Sequence, residues 1–273
     1  MPKMNFELLM HHQASRTARS MPTMHFHDTH ELYFLVSGQR RYLVGHTIYD
    51  VAPGNLVFIP APLLHRTTVL GDRGYDRYVI NFSQDMFSRF WEQLGQEPPT
   101  SFREGMCLQF PTAVSAKIQK ELMHMENFYK GSAEHRQGIL THSLYSILLD
   151  MLQYGSEKKP PRGETADKIQ QVALYISQHY AEWLSLEDAA QMVHMEKTYF
   201  SKRFKVLTGF GFLEYLTQTR LQAARHLLET TTLSIGEISE ACGFTGGNYF
   251  GDLFRRNMGV SPSEYRLLHQ PHK

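Results

Sequence analysis

Two histidines, a glutamate and a distant third histidine offer the first chemistry in this chain. The stretch "MHFHDTHELYFLVSG" places His25, His27 and Glu31 ahead of Gly38, and "PAPLLHRTTV" supplies His65. Alternate residues of an extended strand share a face, so His25, His27, Glu31 and Tyr33 fall on one side and His30 on the other. Imidazoles and a carboxylate together suit a divalent metal that takes nitrogen and oxygen ligands. The same groups suit direct hydrogen bonds to a polar small molecule such as a sugar. They also suit plain stabilisation of strands and turns, and the residues leave all three readings open. Metal ligation would use His25, His27, Glu31 and His65; a directly bound ligand would add Tyr33. Arg40 and Arg41 are expected at a solvated rim. No general acid or base pair accompanies the set, so no catalytic residue is nominated. No cofactor is demanded beyond that candidate metal.

A second chemistry lies in a repeat. "YFSKRFKVLTGFGFLEY" at 199–215 returns as "YFGDLFRRNMGVSPSEY" at 249–265. In the first copy Ser185 is placed to cap a short helix, a break follows at His194-Met195, and a second helix runs from about Glu196 to Leu207. Phe200, Phe204 and Leu207 recur at i, i+4 and i+7 and should face a core. That leaves Lys197, Thr198, Ser201, Lys202 and Lys205 for the outer face. In the second copy Ser234 and Thr245 are the expected caps, Gly243 the turn, and Tyr249, Phe250 and Phe254 the anchors, with Arg255 and Arg256 outside. Helix, tight turn, helix is a pattern that presents one helix to the DNA major groove. "GFLEYLTQTRLQAARHLLETT" between the copies is rich in helix formers and has no internal breaker, which predicts a rigid spacer. Two reading heads at fixed separation suit two groove segments one DNA turn, about 34 Å, apart. The acidic and basic side chains of residues 165–273 balance, so the DNA-facing charge must come from clusters: Lys197–Lys205 and Arg255–Arg256.

The elements that must position these groups divide the chain. With 273 residues, 42% hydrophobic and 20% charged, two globular domains are expected. The two cysteines fit a reducing compartment. No basic-then-apolar leader or long apolar run is evident, so a cytoplasmic protein without membrane contact is expected. The first part is β-rich: short Tyr-, Phe-, Val- and Ile-rich runs through residue 82 are separated by Ser37-Gly38, Gly45 and Pro53-Gly54, as in a sandwich or barrel. From residue 83 the pattern turns helical. Val114, Ile118, Leu122, Met125 and Tyr129 mark one amphipathic helix, and Ile139, Leu140, Leu144, Ile147, Leu148 and Met151 another. These two are candidates for core or for an oligomer interface. "GSEKKPPRGETADK" reads as an interdomain linker, and only helices are expected after it.

On "YFSKRFKVLTG", "RLQAARHLLETT", "IGEISEACGF" and "NYFGDLFRRNMGVSPSEYR", residues 166–269 resemble the AraC/XylS family of bacterial transcription regulators. The resemblance implies a seven-helix DNA-binding domain with two helix-turn-helix units, promoter DNA and RNA polymerase as partners, and recruitment or repositioning of the polymerase; activation and repression both stay open. Three departures stand out. Glu196 opens the first recognition helix where the family has Ser or Thr. Ser239 replaces the usual Ala. The base-facing positions of the second recognition helix map to Gly247, Asn248, Gly251 and Asp252. The first unit is therefore expected to supply most base readout. The second is expected to hold the backbone through Arg255 and Arg256, with one base contact from Asn248.

Residues 25–38 resemble the first motif of the cupin barrel, His-x-His, a spacer, Glu, then Gly. The second motif is looser, with Pro62 where Gly is usual. The resemblance implies an N-terminal cupin-like β-barrel that senses a small molecule, with sugars the favoured class. The expected fold is α+β. Residues 1–155 form a cupin-like sensor with a helical dimerisation segment at about 111–154, 156–165 a linker, and 166–273 the DNA-binding domain. The leading expectation is a homodimeric regulator controlled by its effector. The rival is a metal-dependent cupin enzyme with an accessory helical domain.

Overall fold

The computed structural model describes residues 7–17, 27–130, 135–161 and 163–269. The chain folds as two compact units, 1–161 and 162–273.

In the first unit the strands are β1 (Leu8–Thr17), β2 (His30–Ser37), β3 (Arg40–Val44), β4 (Thr47–Val51), β5 (Leu56–Ile59), β6 (His65–Val69) and β7 (Arg73–Phe82). Helices α1 (Gln84–Leu94) and α2 (Ser101–Glu104) follow, then β8 (Met106–Gln109), α3 (Thr112–Lys130), α4 (Arg136–Tyr154) and the short β9 (Ser156–Glu157). They build a six-stranded sheet, β1-β7-β2-β5-β8-β9, and a three-stranded sheet, β4-β3-β6. The expected barrel is not closed: among the described residues no hydrogen-bonded strand pair joins the two sheets. Prolines 53, 60 and 62 lie where the chain passes between β4, β5 and β6, and proline cannot donate to a ladder.

Period-two alternation divides the large sheet into two faces. Leu32, Phe34, Phe58, Ile80 and Phe82 turn one way and pack with Phe87, Trp91, Ile118, Leu122, Leu144 and Ile147 of the helices. Tyr33, Leu35, Val57, Ile59, Tyr75 and Val79 turn the other way, towards Tyr42, Val44, Tyr49 and Val51 of the small sheet. The apolar stripe of α3 and α4 is thus occupied inside this unit. Met123, Leu149 and Leu152 are the large apolar side chains of these helices that stay exposed, together with Tyr154 at the end of α4. Composition gives no sign of strands β1 and β8. Ser156 and Glu157, in the expected linker, pair with Gln109 and Leu108.

The second unit is helical throughout: α5 (Glu164–His179), α6 (Leu186–Met192), α7 (Lys197–Thr208), α8 (Phe212–Thr230), α9 (Ile235–Ala241), α10 (Gly247–Met258) and α11 (Pro262–His269). Ser185 and Ser234 cap α6 and α9 in reciprocal capping boxes with Asp188 and Glu237. The turn bonds repeat as well: Met195 N–H donates to Ala190 O (2.9 Å) and Phe244 N–H to Ser239 O (3.0 Å). Phe200, Phe204, Phe250 and Phe254 are fully buried, as their spacing requires. Helix α8 is continuous over 19 residues, about 28 Å at 1.5 Å per residue. Two of its arginines tie it to its neighbours. Arg220 donates to the carbonyls of Tyr180 (2.7 Å) and Glu182 (2.9 Å), and Arg225 donates to the Tyr265 hydroxyl (2.8 Å). No helix among the described residues is long and apolar enough to cross a membrane.

The two turns solve one geometric problem with different residues. Both need a left-handed backbone, met by His194 (φ 52°) and Gly243 (φ 76°). Glycine adopts this region without penalty, whereas a residue with a Cβ pays roughly 1–2 kcal/mol. A Cβ at Gly243 would also come within 2.4 Å of the Ala181 carbonyl oxygen. Gly243→Ala is therefore expected to destabilise this unit by more than about 1 kcal/mol, and His194→Gly to leave it unchanged or stabilise it by up to about 1 kcal/mol. Chemical denaturation of the two variants checks the opposite signs; equal effects would contradict the argument.

Candidate nucleic-acid interface and ligand pocket

Burying two phenylalanines on one side of each recognition helix turns the other side outward. On α7, Lys197, Thr198, Lys202 and Lys205 are exposed and Ser201 is half-buried. On α10, Asn248, Arg255 and Arg256 are exposed. Two of the cations have intramolecular partners: Lys197 Nζ lies 3.1 Å from Glu187 and Arg255 lies 3.9 Å from Glu264. Tyr199 and Tyr249 are about half exposed, at 48% and 56%. Tyr249, expected as an anchor, is thus an outer residue. Its offset from Phe250 by one position, about 100° around a helix, already points it away from the buried side.

The helix starts differ. Glu196 is the cap of α7, and its carboxylate accepts from Thr198 N–H (2.8 Å) and Tyr199 N–H (2.7 Å). These backbone bonds hold its pKa below the usual carboxylate range. The acidic departure is therefore a capping device: it satisfies amides that a Ser or Thr would otherwise satisfy. Helix α10 starts at Gly246 with no side-chain cap, and Thr245 does not act as one. The spacing explains this. His194 and Gly243 stand 49 residues apart but Phe200 and Phe250 stand 50 apart, so the second copy has one more residue before its recognition helix. Gly247 and Gly251 have helical neighbours and open space around a built Cβ. Each costs the helix roughly 1 kcal/mol relative to Ala, and no contact inside the unit accounts for them.

In the first unit, His27, Glu31, Asn81, Arg77, Thr29 and His11 line part of a pocket of about 350 Å³ on the face of the large sheet that carries Tyr33 and Val79. His25 lies outside the described residues. Glu31, Asn81 and Leu9 stand in one cross-strand row, as β2, β7 and β1 pair there. Glu31 is buried and well partnered: Tyr42 donates to Oε1 at 2.9 Å, Asn81 Nδ2 to Oε2 at 3.3 Å, and His27 Nε2 lies 3.2 Å from Oε2. His65 Nε2 lies 3.8 Å from the same oxygen. Burial alone would raise the Glu31 pKa. The His27 bond, the charges of both histidines and the Tyr42 hydroxyl outweigh it and bring it down to about 2. Burial likewise opposes charge on His27, but Glu31 overrides it and the net shift is upward.

The histidines are oriented from behind. His27 Nδ1 donates to the Thr29 carbonyl (2.7 Å) and His65 Nδ1 to the Leu63 carbonyl (2.9 Å). Each ring therefore turns Nε2 towards the Glu31 carboxylate, as an N–H donor when the ring is protonated and as a lone pair when it is neutral. Three ligand atoms within 4.8 Å of one another, backed by carbonyls, form a donor set that fits a divalent metal. Tyr33 shares the parity of Glu31 but is fully buried, its ring 5.0 Å from that of Tyr42, and does not line the pocket. Arg40, expected at a solvated rim, is only 3% exposed and donates to Thr67 at 2.6 Å. Arg41 forms a two-pronged ion pair with Asp50 at 2.6 and 2.8 Å. Asn81 and Arg77 are absent from the sequence-derived set, although their parity in "YDRYVINF" puts them on the inner face with Tyr75 and Val79.

His30 belongs to the opposite face. It is 3% exposed, accepts from Ala61 N–H at Nδ1 (3.2 Å) and meets Gln84 Oε1 at Nε2 (2.8 Å). Burial among Phe58, Phe82 and Phe87 pulls its pKa down to about 4. Between about pH 6.5 and 4 the unfolded chain binds a proton at this site and the folded chain does not. Stability therefore falls as pH falls through that window, by up to about 3 kcal/mol. His27 acts in the other sense: its contribution is complete below about pH 6.5 and fades as pH rises through its raised value. His30→Gln is expected to lose less stability than the natural chain between pH 7 and 4.5, measured by urea denaturation. Equal losses would remove His30 as the cause.

Comparison with known proteins agrees with this division. Residues 9–148 match the family model for an AraC-like ligand binding domain, and residues 189–267 match a helix-turn-helix domain. The chain is 25% identical over 281 residues to an uncharacterized HTH-type transcriptional regulator, YfiF, of Bacillus subtilis (strain 168), covering 97% of this chain and 85% of the relative. It is 26% identical over 255 residues to the HTH-type transcriptional activator RhaR of Pectobacterium carotovorum subsp. carotovorum (strain PC1), covering 93% and 89%. Among solved structures, the DNA-binding domain of AdpA in complex with a target DNA matches 37% of this chain and 91% of its own at 33% identity, with a TM-score of 0.36. ToxT from Vibrio cholerae O395 matches 97% and 99% at 13% identity, with a TM-score of 0.38.

Proposed function

This chain belongs to the AraC family of transcription regulators, and from that premise we propose that its occupancy of promoter DNA is set by a small polar effector, a sugar or related metabolite, bound in the first unit. The chain is a DNA-binding regulator with a ligand-binding domain. The observation that carries the proposal is the repeated outward face of α7 and α10, mounted on two turns of like hydrogen bonding and joined by the continuous α8. Cupin-type catalysis finds no support among the relatives, which are transcriptional regulators by name.

In this reading the two recognition helices divide the work. Thr198, Ser201 and Lys202 of α7 read base edges, and Lys197 and Lys205 meet phosphates. On α10, Asn248 makes one base contact while Arg255 and Arg256 hold the backbone. Gly247 and Gly251 carry no group to read with, and the Asp252 carboxylate is repelled by phosphates. RNA polymerase is the downstream partner of an activator bound in this way. Two protomers would meet through the exposed Met123, Leu149 and Leu152 of α3 and α4.

In the pocket, Glu31, His27 and Asn81 supply acceptors and donors for hydroxyl groups. Should a divalent metal be used, His27, Glu31 and His65 would hold it and it would supply an electrophile that orients an effector oxygen. The effector acts only to the extent that it binds one arrangement of the protein better than another; a coupling of about 1–3 kcal/mol changes DNA affinity roughly 5–150-fold.

Lys202→Ala is expected to weaken specific promoter binding more than Asp252→Ala, and binding by the natural chain is expected to fall steeply with salt. Fluorescence anisotropy on a promoter fragment across a salt series, with footprinting of both variants, tests this. The reverse ordering would move the dominant reading head to α10. Salt-insensitive binding, or none, would remove the regulator reading.

A further inference from the structure

Arg220 meets both helix-turn-helix copies from a place near the middle of α8. Its Nε donates to the Tyr180 carbonyl (2.7 Å) and its Nη2 to the Glu182 carbonyl (2.9 Å). Those carbonyls belong to the short segment that leaves α5 and leads to Ser185, the cap of α6 in the first copy. Cys242 and Tyr249, at the turn and on the recognition helix of the second copy, lie within electrostatic reach of the same guanidinium. The carbonyl between the two that Arg220 holds is that of Ala181. A Cβ built on Gly243 would come within 2.4 Å of the Ala181 oxygen and 2.9 Å of its carbon, so the backbones of the two copies already touch there. Residues 180–182 are thus held by Arg220 and abut the turn of the second copy.

The other contacts of α8 serve one copy at a time. At its start, Phe212 meets Phe200 and Phe204 of α7 with ring centres 6.0 and 5.9 Å apart, and Tyr215 meets Phe204 at 5.6 Å. Towards its end, Leu221, Ala224 and Leu228 share a core with Phe250 and Phe254. A continuous helix fixes the distance between its two ends. It does not by itself fix how two bodies attached through short loops, 209–211 and 231–234, are turned about it. A tie between the copies does. Arginine suits that task, because its planar fork spans two carbonyls at once where an ammonium is a point charge. Its charge also sits at the C-terminal end of α5, where helix carbonyls lack partners and the dipole is negative. A bond from Gln218 to Asn257 of α10 (2.7 Å) also reaches the second copy, but it joins neutral amides, and charge-assisted bonds are the stronger kind.

We propose that Arg220 is a positioning residue for DNA recognition: by pinning residues 180–182 beside the turn of the second copy, it sets the mutual orientation of α7 and α10, so that one protomer engages two groove segments together. Arg220 acts through the two carbonyls and reads no base. This inference rests on the two-head reading above and adds what sets the angle between the heads. Two linked heads bind better than one only when both reach their segments at once, a gain of roughly 100–10,000-fold that disappears when the geometry forbids it.

The test uses the full chain, a promoter fragment that it protects in footprinting, and the same fragment with five base pairs inserted at the middle of the stretch that one protomer covers. Five base pairs are about half a DNA turn and carry one segment to the far side of the duplex. Fluorescence anisotropy gives the ratio of the two affinities. The natural chain is expected to prefer the natural spacing by at least about 10-fold. Arg220→Gln is expected to lose about 10-fold on the natural fragment and nothing on the inserted one, so that the ratio falls towards one, with Arg220→Lys in between. A purely structural role for Arg220 would lower the folded fraction, weaken both fragments alike and leave the ratio unchanged; that result would overturn the proposal. Circular dichroism and thermal melts identify a variant that does not fold, and Arg220→Lys, which keeps the charge and can keep one bond, then supplies the deciding ratio. A natural chain that binds with steep salt dependence but ignores the insertion would also overturn the proposal and leave the regulator reading standing. Absence of salt-sensitive binding by the natural chain would remove that reading, and this inference with it.

Discussion

Each recognition helix depends on a pair of phenylalanines four residues apart. Phe200 and Phe204 on α7, and Phe250 and Phe254 on α10, are removed from solvent, with ring centres 5.5 and 5.6 Å apart. Burying two such rings is worth several kcal/mol, more than any surface contact on these short helices. It also fixes rotation. Once the rings face inward, the residues on the opposite face have no freedom to point elsewhere. The outward display of Thr198 and Lys202, or of Asn248, follows from packing and not from any attraction among the displayed groups.

The first unit uses one sheet for two purposes. Its helix-facing side is apolar, and α1, α3 and α4 close over it. Its other side mixes aromatic rings with Glu31, Arg77, Asn81 and, from the small sheet, Arg40 and His65. The apolar layer contributes the stability that lets the polar layer exist, since buried charges and an unsatisfied hydroxyl weaken a fold unless something else compensates. The carbonyls of Thr29 and Leu63 fix the two imidazoles beside Glu31. His27 is thus fixed in the pocket wall, while the Tyr33 hydroxyl, which lies outside the pocket lining, has no hydrogen-bond partner among the described residues.

Much of the second unit is legible in the chain itself. Caps at Ser185 and Ser234, the turn at Gly243, the phenylalanine spacing and the unbroken spacer are local features, and local geometry decides them. Thr245 departs from expectation because the second copy has one extra residue ahead of its recognition helix, and Tyr249 because the position next to Phe250 is turned about 100° away from the buried side. Glu196 stands out in the chain as a departure from Ser or Thr, and its bonds to the Thr198 and Tyr199 amides make it a cap. In the first unit the parity of Glu31 and the opposite face of His30 are readable. Strand β1, with its long polar half, and the four-residue β8 are not, because each is a strand only by pairing with β7 and β5.

The two-unit organisation, the duplicated helix-turn-helix and the family are written in the chain. They reside in short-range spacing: i to i+4 on a helix, alternation on a strand, a glycine where φ must be positive. Three outcomes belong to the folded state alone. The barrel stays open, the α3 and α4 stripes are spent on the core, and Arg40 is buried beside Tyr75 while the Tyr33 hydroxyl is left without a hydrogen-bond partner among the described residues. Those outcomes are set by which strands and helices lie side by side, and contacts between distant segments leave no periodic trace in the chain.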